Sequence, residues 1–121
     1  MLTLAVALAA GAGAVLRYVV DQVIGHRTRG DFPYGTVVVN ISGSFLLGLV
    51  TGLALHHGLG SSATLVLGTG LAGGYTTLST WAWETLALAE SGDLLEAGVN
   101  VFGSFAAGLL AASAGLALAL A

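Results

Sequence analysis

The stretch Gly70-Leu-Ala-Gly-Gly-Tyr-Thr-Thr-Leu-Ser-Thr-Trp81 lies inside an apolar segment long enough to cross a membrane. Gly73 and Gly74 are poor helix formers, and the hydroxyl pairs Thr76-Thr77 and Ser79-Thr80 follow closely. In hydrocarbon, a broken helix leaves backbone N–H and C=O groups without partners. Such a break persists only where protein buries it or where it lines a wet path. The sequence therefore predicts a broken membrane helix around Gly73 and Gly74. In membrane proteins such breaks usually mark an ion or substrate site.

The rest of the chain suits lipid as its solvent. Only 7% of the 121 residues are charged, 56% are hydrophobic and the mean hydropathy is +0.95. A soluble domain carries about a quarter charged residues, so this chain lacks the polar groups to cover a water-facing surface. Its 19 glycines fit close helix packing in a membrane. The absence of cysteine excludes disulfide and thiolate chemistry, and the net charge of −3 argues against nucleic acid. The length accommodates four spans of about 20–25 residues with short loops, organised as a single four-span domain over residues 1–121. Four helices are too few to enclose a pore alone, which predicts an oligomer. The opening residues Met1 to Ala7 lack the basic region of a signal peptide, and Arg17 follows in a helical context. A first membrane span is expected there, in a multi-pass protein of the cell membrane.

Span one is expected from about Leu2 to Gly25, with Gly11 and Gly13 as a close-packing face. Arg17 and Asp21, spaced i, i+4, can pair or reach the interface. Arg17 is either an interfacial anchor or a fixed positive charge near an anion vestibule. Asp31 and Pro33 signal the start of span two, about Tyr34 to His57. Asn40, Ser44, Gly48 and Gly52 form an i, i+4 ladder on one of its faces. An amide as deep as Asn40 serves either an interhelical hydrogen bond or a ligand. His56 and His57 have no further ligand at useful spacing and read as interfacial. Span three, about Ala63 to Glu90, contains the break. Of the tryptophans beyond it, Trp83 suits a membrane belt better than Trp81. Span four, about Leu94 to Leu120, carries Asn100, Ser104 and Gly108 as a second ladder. Residues 39–48 and 99–108 both fit V-N-x-x-G-S-F-x-x-G. Spans two and four run in the same direction in a four-span chain, so each is expected to offer an amide and a hydroxyl at similar depth.

Charge gives an orientation. Arg27 and Arg29 stand in the first loop, and the second loop and the C-terminal end have no Lys or Arg. The positive-inside rule puts loops one and three in the cytoplasm and both termini outside. The bias is two arginines, or three with Arg17, small enough to be compatible with insertion both ways.

Taken in order, these residues resemble the Fluc (also called CrcB) family of fluoride channels. The resemblance rests on Gly11-Ala-Gly-Ala-Val-Leu-Arg-Tyr18, on Pro33-Tyr-Gly-Thr-Val-Val-Val-Asn40 with Gly43 and Gly48, and on Gly70 to Trp81 with Glu84. It implies an all-α membrane protein of four transmembrane helices, the third broken near its middle, in an antiparallel (dual-topology) dimer. It implies two fluoride pathways between the subunits and a structural sodium ion at the dimer centre. By motif position the ion is held by the backbone carbonyls of Gly73 and Thr76. Two copies across a two-fold axis would supply four oxygens. Fluoride is small and tightly hydrated, so its pathway must replace water with donors. The resemblance maps these to Asn40, to Thr77, Ser79 and Thr80, and to Ser104. Asn100 stands where the family commonly has tyrosine.

The departures fall in the opening stretch. Leu78 and Trp81 occupy the places of two family phenylalanines whose ring edges face fluoride. Trp81 keeps an aromatic edge and adds an N–H donor, whereas Leu78 has no ring. The family default is a homodimer, here conducting with altered contacts. The other arrangement is a heterodimer with a second family member that keeps the phenylalanines. The implied activity is passive export of cytoplasmic fluoride, limiting its toxicity. No phosphate loop, nucleophile–base pair or metal-ligand cluster points to an enzyme. A small proton-coupled multidrug exporter is the alternative class, but it needs a carboxylate in the middle of span one, and Leu8 to Leu16 holds none. A non-conducting partner subunit is the third, and Leu78 gives it weight.

Overall fold

The computed structural model describes residues 1–121, and all of their regular structure is helical. Helix α1 is Leu2–Arg27 and α2 is Tyr34–His56. Helix α3 covers residues 61–75, α4 is Ser79–Glu90, and α5 is Leu94–Leu120. Helices α1, α2 and α5 are each long and apolar enough to cross a membrane. Gly30, Gly58 and Gly92, one in each of the three reversals of direction, hold positive φ that a side chain would resist. Pro33 precedes α2, where its missing N–H is no loss.

Glycine sets how closely these helices approach. On α2, a Cβ at Gly48 would collide with the Ala112 backbone of α5, and one at Gly52 with Ala119 and Leu116. From the other side, Gly115 of α5 lies against the backbone of Phe45 and Leu49. Helix α1 meets α3 in the same way. Gly13 lies against Leu71 and Tyr75, and Gly74 lies against Ala10. Backbones this near gain dispersion contacts that lipid tails cannot supply, which is how helices associate without a hydrophobic driving force. Gly11, by contrast, has nothing within 4 Å of its Cβ position and takes no part in this packing.

The α2–α5 register corrects one expectation. Ser44 lies near Gly108, Gly48 against Ala112 and Gly52 against Leu116, so the helices run parallel at a constant offset. That offset sets Asn40 level with Ser104. Asn100 therefore sits about one turn, or ~6 Å, away from the depth of Asn40. The repeated motif does not place its two asparagines side by side.

The position of the break is a second correction. Gly73–Tyr75 is still helical, and the chain leaves the helix only at Thr76, with φ −81° and ψ 160°. Gly73 and Gly74 are therefore not the breakers. Gly74 is glycine because Ala10 of α1 occupies the space of a side chain. Two π-helical stretches, Leu65–Ala72 within α3 and Val99–Gly103 within α5, had no signal in the sequence. Only 18 of the 121 residues are buried, and large apolar side chains such as Leu8, Val15, Phe102 and Leu110 point outward, as expected of a chain solvated by lipid.

Candidate functional site

At the break, Thr77 would in a continuous helix give its N–H to the carbonyl of Gly73. It gives it instead to Oδ1 of Asn40 at 2.9 Å, and its own carbonyl accepts from Asn40 Nδ2, also at 2.9 Å. The side-chain amide of α2 thus stands in for a backbone neighbour and satisfies both polar groups of the interrupted turn. Just ahead of α4, Thr77 Oγ1 accepts the N–H of Thr80 at 3.1 Å and so satisfies one of the free donors of that helix's first turn. The Thr77 hydroxyl donates onward to Thr80 Oγ1 at 3.1 Å.

The carbonyls around the break have distinct fates. Thr76 O accepts Nη1 of Arg17 at 3.3 Å. Arg17 therefore reaches inward to the break, with no ion pair to Asp21; Asp21 packs against Gly35 of α2. Gly73 O has lost its helical donor, and Gly73 is exposed. Sodium takes hard oxygen ligands of the kind an unwound turn releases. Gly73 O is open, and Thr76 O keeps one of its two lone pairs beside a single long hydrogen bond. The donor set implied by the resemblance fits such an ion.

Two cavities flank Thr77. The larger, about 440 Å³, lies between α2, the break and α5. Asn40, Gly73, Thr76, Thr77, Leu78 and Trp81 line one part of it, and Ser44, Ser104, Phe105 and Leu109 another. The smaller, about 150 Å³, lies on the α1 side and is lined by Arg17, Tyr18, Asp21, Thr36, Thr77 and Thr80. Near it, Thr36 donates from Oγ1 to Glu84 of α4 at 2.5 Å.

A profile of the family described as CrcB-like protein, Camphor Resistance (CrcB) matches residues 4–116. The chain belongs to the CrcB family. It is 52% identical over 90 residues to the fluoride-specific ion channel FluC 1 of Leifsonia xyli, covering 74% of this chain and 66% of that protein, just under two thirds. It is 46% identical over 110 residues to FluC 2 of Mycobacterium bovis, covering 91% of this chain and 84% of the relative. FluC 1 of Rubrobacter xylanophilus is 47% identical over 107 residues, 88% of this chain and 84% of its own. With its three long apolar helices, this CrcB protein is a multi-pass membrane protein.

The fold of this CrcB chain gathers Asn40, Gly73, Thr76, Thr77, Leu78, Trp81 and Ser104 on one cavity. It puts Arg17 and Thr80 on the other, with Thr77 shared between them. Ser79 is exposed beside Thr77, their hydroxyls 3.4 Å apart, and lines neither. Asn100 is fully buried and lies off both cavities. The Trp81 N–H, expected as an extra donor on the path, is committed to the Asn100 carbonyl at 3.0 Å. Two residues were missed. Phe105 brings an aromatic ring to the larger cavity, which Leu78 also lines, and Thr36 stands on the smaller. Phe105 is the aromatic member of the repeated V-N-x-x-G-S-F motif, whose asparagine and serine are the members that point to a polar path. Thr36 lies one turn before Asn40 on the same helix face.

Proposed function

We propose that this protein is a fluoride-selective channel that lets cytoplasmic fluoride leave the cell and so limits its toxicity. The observation that carries this is the Asn40–Thr77 pairing at the break, with an amide, hydroxyls and aromatic rings gathered on the cavity beside it. Relatives at 46–52% identity that are fluoride-specific ion channels support it. Fluoride gives up water only where donors replace it. One N–H of Asn40 is left after its bond to Thr77. The hydroxyls of Ser104 and Thr77 can rotate away from their present acceptors to meet an anion, and the Thr80 hydroxyl proton is free to do so. Aromatic edges at Trp81 and Phe105 add weak positive potential. Arg17 supplies a fixed positive charge at the second cavity.

In this reading α3 and α4 together make a fourth, interrupted span. The larger cavity is open on the monomer surface, and an antiparallel second copy closes it into a pathway. Backbone carbonyls of Gly73 and Thr76 from both copies hold a structural sodium ion, which ties the two breaks together. Leu78, 75% exposed at the cavity, keeps a second arrangement open, in which the partner is a different family member with a ring at that position.

Growth of a fluoride-sensitive bacterial strain that lacks its own fluoride exit route tests the function. Expression of this chain is expected to restore growth in fluoride, and Asn40→Asp is expected not to. Failure to rescue while the wild-type protein is present in the membrane, alone and with a second family member, would end the proposal. Uptake of a cationic dye driven by a proton gradient would favour an exporter.

A further inference from the structure

The part of the site that the fluoride reading leaves unexplained is the fully buried Asn100. Three hydrogen bonds form a closed ring about it. Trp81 Nε1 donates to the Asn100 carbonyl at 3.0 Å. Asn100 Nδ2 donates to Thr85 Oγ1 at 2.8 Å. The Thr85 hydroxyl donates to the Trp81 carbonyl at 2.8 Å. The Thr85 hydroxyl accepts one of these bonds while donating another, the arrangement in which hydrogen bonds polarise one another. Ser104 adds a fourth, longer bond, donating to Asn100 Oδ1 at 3.2 Å. The ring joins α4 to the π-helical turn of α5, Val99–Gly103, in which Asn100 sits.

We propose that Thr85 and Asn100 are positioning residues that hold the Trp81 indole against the wall of the larger cavity. The indole N–H is spent on the wall. What Trp81 offers to a passing anion is ring edge, in the manner of the phenylalanine it replaces. Asn100, in place of a tyrosine, acts through this ring and not as a donor on the path. A tryptophan side chain left free would swing about two torsions and alternately block or vacate the pathway. Fixing it defines the width that a small, dehydrated anion meets and a larger one does not. Ser104 is coupled to the same ring: turning its hydroxyl to an anion releases Asn100 Oδ1 without breaking the three-membered circuit.

The inference rests on the fluoride reading for its functional half, and its structural half is tested separately. In purified protein carrying Trp83→Phe, Trp81 is the sole tryptophan, and its emission reports the indole environment without any fluoride. Thr85→Val removes the hydroxyl at nearly constant shape. It is expected to shift that emission and raise its solvent quenching, and Thr85→Ser is expected to restore both. An unmoved emission in Thr85→Val overturns the positioning role, whatever the transport result. In liposomes, Thr85→Val is expected to slow fluoride efflux about tenfold, within the roughly 100-fold that a 1 Å misplacement can cost. It is also expected to raise chloride leak. In a Trp81→Phe background the same substitution is expected to change neither. An equal loss in both backgrounds means that Thr85 acts independently of the indole, and the proposal fails. A shifted emission in a protein that conducts no fluoride in any form would leave the positioning role standing and remove the channel.

Discussion

The carboxamide of Asn40 pairs with both backbone groups of Thr77, donating from Nδ2 and accepting at Oδ1, each at 2.9 Å. This pairing satisfies the backbone where the helix of residues 61–75 stops. Removing it leaves a part-buried N–H and C=O unpaired, at up to about 1–3 kcal/mol each. Asn40→Leu is therefore expected to destabilise the protein by up to about 2–6 kcal/mol. Asn40→Asp keeps the acceptor, loses the donor and sets a carboxylate against the Thr77 carbonyl, so it too is destabilising. Unfolding in mixed micelles measures both. A Leu variant as stable as the wild type would mean that water or lipid headgroups already satisfy the break.

Close approach of α2 and α5 depends on glycine at three levels. Gly48→Leu and Gly115→Leu each drive a side chain into facing backbone, at Ala112 and Phe45 respectively. Each is expected to cost about 3 kcal/mol or more, at the upper end of overpacking penalties. Gly11→Ala, where nothing lies within 4 Å, is the matched control and is expected to be neutral. Monodispersity on gel filtration and micellar unfolding check the contrast. Equal behaviour of the three variants would contradict the packing.

Arg17 donates to Thr76 O and stands at the smaller cavity, so it serves the break with a hydrogen bond and, in the proposed channel, that cavity with a charge. Arg17→Gln keeps a donor and removes the charge. Fluoride flux is expected to fall severalfold at low ionic strength, with the deficit shrinking as salt screens the field over a Debye length of about 10 Å at 0.1 M. A deficit independent of salt would assign Arg17 to the hydrogen bond alone.

Leu78 is exposed at the cavity that Trp81 and Phe105 also line. Leu78→Phe has space to enter there and supplies a ring edge, an interaction of about 0.5–1.5 kcal/mol for aromatic groups. Flux through the protein alone is expected to rise two- to tenfold on that scale. No change, or a fall, would mean that Phe105 already performs that role or that a second chain does.

The helical, lipid-solvated fold was legible because 7% charge over 121 residues leaves no alternative to membrane spans. That a break exists was legible too, since glycine and hydroxyl residues cluster in an apolar run. Its position was not. Gly73-Gly74 reads as a breaker by propensity, yet Gly74 is demanded by the backbone of Ala10, which is distant in sequence. What satisfies the break is Asn40, whose pairing with Thr77 is a tertiary fact. The two V-N-x-x-G-S-F segments suggested a common depth. The glycine contacts that set helix register put Asn40 level with Ser104 instead. The indole N–H of Trp81 could be counted as a donor from sequence, but its acceptor is a backbone carbonyl, which no residue pattern reveals.

Fluoride efflux from liposomes that contain only this purified chain, read with a fluoride electrode, addresses the central claim most directly. Rapid release of fluoride with chloride retained is expected, together with slowed release in Asn40→Asp and Trp81→Ala. Release that persists unchanged in both variants would contradict the pathway placed beside the Asn40–Thr77 pairing. No release from the wild type, alone or mixed with a second family member, would contradict the channel itself.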